Sequence, residues 1–261
     1  MSLNKTETKT DKFSSSVPAS NKVIISSNNK QNISRGVPFT VVEAYKTIRT
    51  NLLFLLGRSS NHVLTFSSSN AGEGKSTTSI NVAVAFAQLG GRVLVIDADM
   101  RRSSIHKKLK LDNSTGLSNV IAGFCEYKDA INTYNSNLDI LTAGPIPPNP
   151  SEMLDSPEFD KLIDNVKNDY DYVIIDTPPI NVVSDALVIA PKTSGLVLVV
   201  RTGFTPYDSL EHTISSAKFA NISILGTILN GSNPTSSRYY KYKRYNRNKT
   251  YDTYNYKYQK K

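Results

Sequence analysis

The stretch Ser67-Ser68-Ser69-Asn70-Ala71-Gly72-Glu73-Gly74-Lys75-Ser76-Thr77 constrains this chain more than any other. An apolar run, residues 63–66, precedes it, and a helix-like segment beginning at Ser76 follows. A strand, a glycine-containing loop and a helix opening on Gly-Lys-Ser form the setting of a phosphate-binding loop. Gly72 and Gly74 let the backbone turn its N–H groups inward, and a helix N-terminus adds partial positive charge. Lys75 has the reach for terminal phosphates, and the Ser76 hydroxyl is a ligand for Mg²⁺. Ser69 stands where the strict pattern has its first glycine. The competing reading is a Gly/Ser-rich loop that only caps a helix.

Two acidic sites downstream favour phosphate chemistry. The apolar run Val93-Leu94-Val95-Ile96 ends in Asp97-Ala98-Asp99-Met100-Arg101, and Val173-Ile174-Ile175 ends in Asp176-Thr177-Pro178-Pro179. Uninterrupted apolar runs predict strands buried on both faces of a parallel sheet. Such strands deliver their last residues to the edge where open α/β sheets bind ligands. Further strands are predicted at 138–141, 195–200 and 224–229. Helices are predicted at 39–56, 76–89, 103–109, 116–122, 158–170 and 207–220, with another around Leu187–Ile189. A capping box of Thr40 and Glu43 is expected to open the first helix. Gly90-Gly91 is expected to close the second. Residues 143–150 read as a turn-rich loop that cannot be helical. The alternation predicts an α/β fold: a doubly wound, mainly parallel sheet of the P-loop NTPase type.

The chain has 261 residues, and its net charge of +9 sits at the ends. Residues 238–261 carry nine Lys/Arg and one acid, residues 1–35 carry six and two, and the body between them is left at −3. The expected organisation is a flexible leader over residues 1–36, a folded domain over 37–232 and a disordered tail over 233–261. Cys125 is the only cysteine, so no disulfide framework can form. His62, His106 and His212 lack zinc-ligand spacing. The longest uninterrupted apolar runs are far shorter than a membrane span. No apolar segment follows the N-terminal lysines as in a signal peptide. These features point to a reducing, cytoplasmic setting.

The tail holds eight tyrosines among basic residues: Tyr239, Tyr240, Tyr242, Tyr245, Tyr251, Tyr254, Tyr256 and Tyr258. Exposed tyrosines can accept phosphate, and neighbouring cations lower the cost of the added charge. The same mixture suits stacking on single-stranded nucleic acid, and that reading stays open on the tail alone. A triphosphate with Mg²⁺ accounts for the three charged motifs together. Asp176 is the natural acid to fix the metal's water shell. Asp97 and Asp99 can divide metal support from activation of a nucleophile.

Together these residues resemble the bacterial tyrosine kinases that control capsule and exopolysaccharide synthesis, over about residues 37–261. Gly72–Thr77 is similar to that family's Walker A motif. Residues 93–101 resemble its Asp-x-Asp-x-Arg motif, residues 173–179 its Walker B, and the tyrosine tail its autophosphorylation site. Partitioning ATPases carry a second lysine where Asn70 stands. The resemblance implies an ATP- and Mg²⁺-dependent protein-tyrosine kinase that phosphorylates its own tail between subunits and regulates polysaccharide synthesis and export. It implies nucleotide contacts from Gly72, Glu73, Gly74, Lys75, Ser76 and Thr77, and adenine contact from Asn230. Asp97 would be the base, Lys75 and Asp99 would share in catalysis, and Ser76, Asp99 and Asp176 would serve Mg²⁺. Glu43, Lys46 and Arg49 resemble a Glu-x-x-Arg-x-x-Arg subunit-contact helix, with lysine in place of the first arginine. The implied partners are further copies in a reversible ring, a membrane-anchored chain-length activator, as in split Gram-positive systems, and a cognate tyrosine phosphatase. No specific nucleic acid is implied. The implied place is the cytoplasm, at the inner face of the plasma membrane through the activator. The alternative is a partitioning-type ATPase whose basic tail grips anionic polymer or membrane.

Overall fold

The computed structural model of the chain describes residues 37–57 and 62–232. The expected leader (1–36) and tail (233–261), with all eight tail tyrosines, lie outside the described residues. Seven strands form one sheet: β1 (Val63–Ser68), β2 (Val93–Asp97), β3 (Ile131–Asn135), β4 (Leu138–Leu141), β5 (Tyr172–Asp176), β6 (Gly195–Arg201) and β7 (Ile224–Asn230). Their spatial order is β3-β4-β2-β5-β1-β6-β7. All pairings are parallel except β3 with β4. The helices are α1 (Phe39–Leu56), α2 (Lys75–Ala87), α3 (Ile105–Leu109), α4 (Leu117–Ile121), α5 (Pro150–Leu154), α6 (Pro157–Asp169), α7 (Asp185–Ile189) and α8 (Tyr207–Phe219). This is the doubly wound, mainly parallel α/β fold of the P-loop NTPases.

Period-two alternation explains the two-faced core. Leu64, Phe66, Val93, Val95, Ile174, Val197 and Val199 share one cluster with α1 and α2. Their neighbours Leu94, Ile96, Val173 and Ile175 share another with α4 and α6. Leu196 and Leu198 join Ala186 and Ala217, from α7 and α8, in a third. Buried on both faces, the strands read as continuous apolar runs.

Four local expectations are corrected. Helix α1 is preceded by Pro38 as N-cap and has no side-chain cap, so the Thr40–Glu43 capping box does not form. Glu43 pairs instead with Lys46, 2.8 Å away. Helix α2 ends at Ala87 with Gln88 as its C-cap, and Gly90 (φ 90°) serves the turn beyond. Strand β3 escaped the sequence reading because Ile131-Asn132-Thr133-Tyr134-Asn135 is a polar edge strand with one buried residue. Residues 143–150 are not wholly irregular, since Pro150 is the first residue of α5. Proline suits that position because its missing N–H has no helical partner anyway.

One glycine is demanded by close approach. A Cβ on Gly116 would land on the backbone oxygen of Thr142 and the backbone nitrogen of Gly144. Leu117 N–H donates to that Thr142 oxygen at 2.7 Å, so the gap cannot open cheaply. Gly116→Ala is expected to destabilise the fold by about 3 kcal/mol or more, read as a lowered urea midpoint.

Candidate functional site

Strands β1, β2 and β5 end side by side. Asp97 is the register partner of Asp176, and Phe66 is paired with Asp176 on the other side. Parallel pairing therefore delivers the phosphate loop and both acidic motifs to one edge, whatever their separation in sequence. Gly72 and Gly74 adopt φ of 86° and 90°, a conformation that favours glycine. They turn the loop into α2, whose first residue is Lys75.

Lys75 is buried, and its Nζ lies 2.8 Å from Asp176 Oδ1 and 3.9 Å from Asp99 Oδ2. Ser79 Oγ also donates to Asp176 Oδ1, at 3.0 Å. Asp176 Oδ2 is buried without a hydrogen-bond partner. An orphaned carboxylate oxygen facing a phosphate loop fits a site completed by a cation and its waters. Ser76 is half-buried beside it, its hydroxyl 3.4 Å from Lys75 Nζ. Among the described residues, no three His, Cys, Asp or Glu side chains converge as a metal cage. A Mg²⁺ at Ser76, Asp99 and Asp176 would therefore share its shell with phosphate and water, as Mg²⁺ commonly does.

Asp97 is fully buried, and among the described residues its carboxylate accepts only from backbone amides. Its Oδ1 accepts from Asp99 N at 3.3 Å, and its Oδ2 accepts from Ser104 N at 3.2 Å and Ile105 N at 3.1 Å. Burial and the nearby Asp176 carboxylate push its pKa up to about 7, against the opposing pull of Lys75. Asp99 is slightly open, and burial raises its pKa as well. Asp99 Oδ1 caps the turn by accepting from Arg102 N at 3.0 Å. Arg101, the last residue of the Asp-x-Asp-x-Arg motif, turns away from the acids. Its Nε lies 3.1 Å from Asp185 Oδ2, and Nη2 donates to Ser151 Oγ at 2.8 Å.

The Glu73 side chain serves the loop itself. Its carboxylate is buried and points into the protein, accepting from Ser69 N at 2.9 Å and Thr205 Oγ1 at 2.8 Å. Its carbonyl accepts from Asn230 Nδ2 at 2.8 Å, so Asn230 braces the loop at the end of β7. Arg201 donates from Nη1 to Gly72 O at 3.0 Å, and its guanidinium lies 4.9 Å from the Phe204 ring centroid. Thr205 and Arg201 were not legible in the sequence, because no motif marks them and their partners are more than a hundred residues away. Glu43, Lys46 and Arg49, which resemble a subunit-contact helix, have partners within the chain. Arg49 Nη1 donates to Ala85 O at 2.8 Å, and its Nε is buried without a partner.

The Glu73–Thr205 contact makes a testable claim about preorganisation. Thr205 Oγ1 bridges Glu73 Oε1 and the backbone N–H of Arg201, 2.9 Å away. Thr205→Val leaves a buried carboxylate oxygen short of a donor. It is expected to weaken nucleotide binding by about 1–2 kcal/mol, or roughly tenfold in Kd by calorimetry, while Thr205→Ser restores it. Equal affinities for all three proteins would remove the brace from the account.

Comparison with known proteins places this geometry. The AAA domain family matches residues 61–202. The chain is similar to tyrosine-protein kinase YwqD of Bacillus subtilis, with 39% identity over 201 residues, covering 77% of this chain and 85% of the relative. It is similar to tyrosine-protein kinase CpsD of Streptococcus agalactiae, with 38% identity over 205 residues, covering 78% and 89%. Among solved structures, the kinase domain of Escherichia coli tyrosine kinase ETK superposes with a TM-score of 0.73 at 33% identity, covering 78% and 84%.

Proposed function

The chain belongs to the bacterial tyrosine kinases of capsule and exopolysaccharide systems, and from that membership we propose that it phosphorylates its own C-terminal tyrosines, between subunits, at the expense of ATP. The observation that carries the reading is Lys75, the one buried cation among the described residues, set among Asp97, Asp99 and Asp176 at the mouth of a phosphate loop. Lys75 neutralises Asp176. Lys75 would meet the oxygens of a bound triphosphate, and Asp176 would then be free to hold the metal. Bound Mg²⁺ would neutralise phosphate charge and hold the transferred group in line.

Asp97 is the proposed base. A carboxylate poised near neutrality can take the phenolic proton without being protonated most of the time. The phenolate oxygen then bonds to the γ-phosphorus as the bond from that phosphorus to the bridging oxygen breaks. ADP leaves with the electron pair. The backbone amides on Asp97 hold its position, while Asp99 and Ser76 support the metal side.

The rest of the reading concerns place and partners. The tail tyrosines Tyr239 to Tyr258 are the acceptors. Glu43, Lys46 and Arg49 are proposed to contact a neighbouring copy in a reversible ring. A membrane-anchored chain-length protein would activate the kinase at the inner face of the plasma membrane, a cognate tyrosine phosphatase would reverse the modification, and polysaccharide synthesis and export would be regulated. Among the described residues no helix is long and apolar enough to cross a membrane. Mass spectrometry of residues 233–261 after incubation with Mg-ATP tests the core claim, and phosphate on several tyrosines is expected. ATP turnover with an unmodified tail, plus salt-sensitive binding of DNA or lipid lost on truncation at Ser237, would favour the assembly ATPase instead.

A further inference from the structure

Helix α3 and its flanks form a dense patch of unpaired positive charge. Residues 101–110 contain Arg101, Arg102, Lys107, Lys108 and Lys110 and no acid, in a body whose net charge is −3. Arg101 is neutralised by Asp185. Arg102, Lys107, Lys108 and Lys110 are exposed. Among the described residues none of these four has a carboxylate within 4.0 Å, whereas Lys46, Lys128, Lys167 and Lys192 all do. The nearby Asp112 is held by Ser114. His106 lies inside the patch with its Nδ1 buried and unpartnered. A cluster of like charges left unpaired costs self-repulsion, so an anionic occupant is the natural complement.

The tail supplies an occupant whose charge depends on the reaction. Residues 238–261 carry a charge of +8 before modification and are repelled by α3. Each phosphotyrosine adds about −1.5 to −2, so roughly five phosphates neutralise the tail and eight give a net charge of about −4 to −8. The geometry permits the encounter. Strands β2, β5, β1, β6 and β7, neighbours in that order, run parallel, so their C-terminal ends share one edge. Four inter-strand steps separate β7 from β2, a distance of about 19 Å. Eight residues lie between Asn230 and Tyr239, and the nine steps span about 30 Å when extended, so reach does not require a second copy.

We propose that Arg102, Lys107, Lys108 and Lys110 on and around α3 form the docking surface for the phosphorylated form of this chain's own tail. The unmodified tail is repelled and remains available to the site. The phosphorylated tail is held beside it, on the helix whose first amide hydrogen-bonds Asp97. The inference rests on the reading that the tail is the phosphate acceptor.

The test uses the full-length chain, treated with tyrosine phosphatase, and a fluorescent synthetic peptide of residues 238–261 carrying either eight phosphotyrosines or none. The phosphopeptide is expected to bind the wild-type chain and to bind the Lys107→Ser/Lys108→Ser/Lys110→Ser variant about tenfold more weakly, in keeping with three exposed charge contacts. The corresponding triple arginine variant should keep the affinity, and rising salt should erase the difference. The chain's own basic tail is present in every protein and cancels in the comparison. Phosphopeptide affinities within twofold for wild type and the serine variant overturn the proposal. So does a serine variant that loses binding to phosphatidylserine vesicles but not to the phosphopeptide, since that assigns the patch to membrane. The phosphate on the probe is synthetic, so this result stands apart from whether the chain phosphorylates itself, which mass spectrometry of the tail decides.

Discussion

Lys75→Met is expected to abolish phosphotyrosine on residues 239–258, with the rate of transfer falling about a thousandfold or more. Lys75 is the one cation within contact of the acidic cluster among the described residues, 2.8 Å from Asp176 and 3.9 Å from Asp99. Its removal deletes the group that meets the terminal phosphates. It also leaves Asp176, fully buried, without a counter-charge, which costs about 3–5 kcal/mol when one partner of a buried pair is lost. The variant should therefore melt at a lower temperature as well as being inactive. The two losses can be separated. Lys75→Met/Asp176→Asn removes the orphaned charge and should recover most of the stability without recovering any transfer. Persistent tail labelling of the purified single variant by ATP would end the assignment of Lys75. A double variant no more stable than the single would show that Asp176 is relieved by some other group.

Asp97→Asn is expected to lower transfer by about 10²–10⁴-fold while leaving ATP affinity within a few-fold. A proportional loss of both would make Asp97 a binding residue only. Wild-type kcat/KM should rise with pH through about 7 as the Asp97 carboxylate loses its proton, and the variant should lack that limb. Stability runs the other way. The folded-state pKa of Asp97 is raised far above that of an unfolded aspartate, so the folded chain binds the proton more tightly. The stabilising contribution is complete below about pH 4 and is lost as pH rises through about 7. The displacement corresponds to at most about 4 kcal/mol. Between pH 5 and 8 the wild type should lose stability more steeply than Asp97→Asn. Comparing slopes is preferable to comparing melting temperatures at one pH. Asn presents an N–H₂ where both Asp97 oxygens now accept amides, a mismatch that is present at every pH. A pH profile shared by both proteins would show that Asp97 does not carry the titration.

The parts of the fold that were legible in sequence are those dictated by local pattern. Strands β2, β5 and β6 carry unbroken apolar stretches, because positions buried on both faces of the sheet are filled mostly by apolar side chains. Helix α1 begins and ends where its apolar stripe does, even though the expected cap is absent. Strand β3 was missed for the converse reason: an edge strand paired on one side only need not be apolar. Helix α5 was missed because proline argues against helix everywhere except in the first turn, and only the surroundings show which turn it occupies.

The candidate site divides along the same line. The residue types and spacings of Gly72-Glu73-Gly74-Lys75-Ser76, Asp97, Asp99 and Asp176 were set by sequence, since a phosphate needs amides, a cation and acids for its metal. Their order along the chain says nothing about distance. Parallel registration of β1, β5 and β2 brings Lys75 against an acid 101 residues away, and a contact of that kind has no local signature. Tertiary structure alone decided that Glu73 faces inward to Thr205, that Arg201 covers Gly72 and that Arg101 serves Asp185. Side-chain direction in a loop depends on which donors the rest of the fold places nearby. A buried carboxylate goes where hydrogen bonds await it, and those donors come from strands and helices remote in sequence.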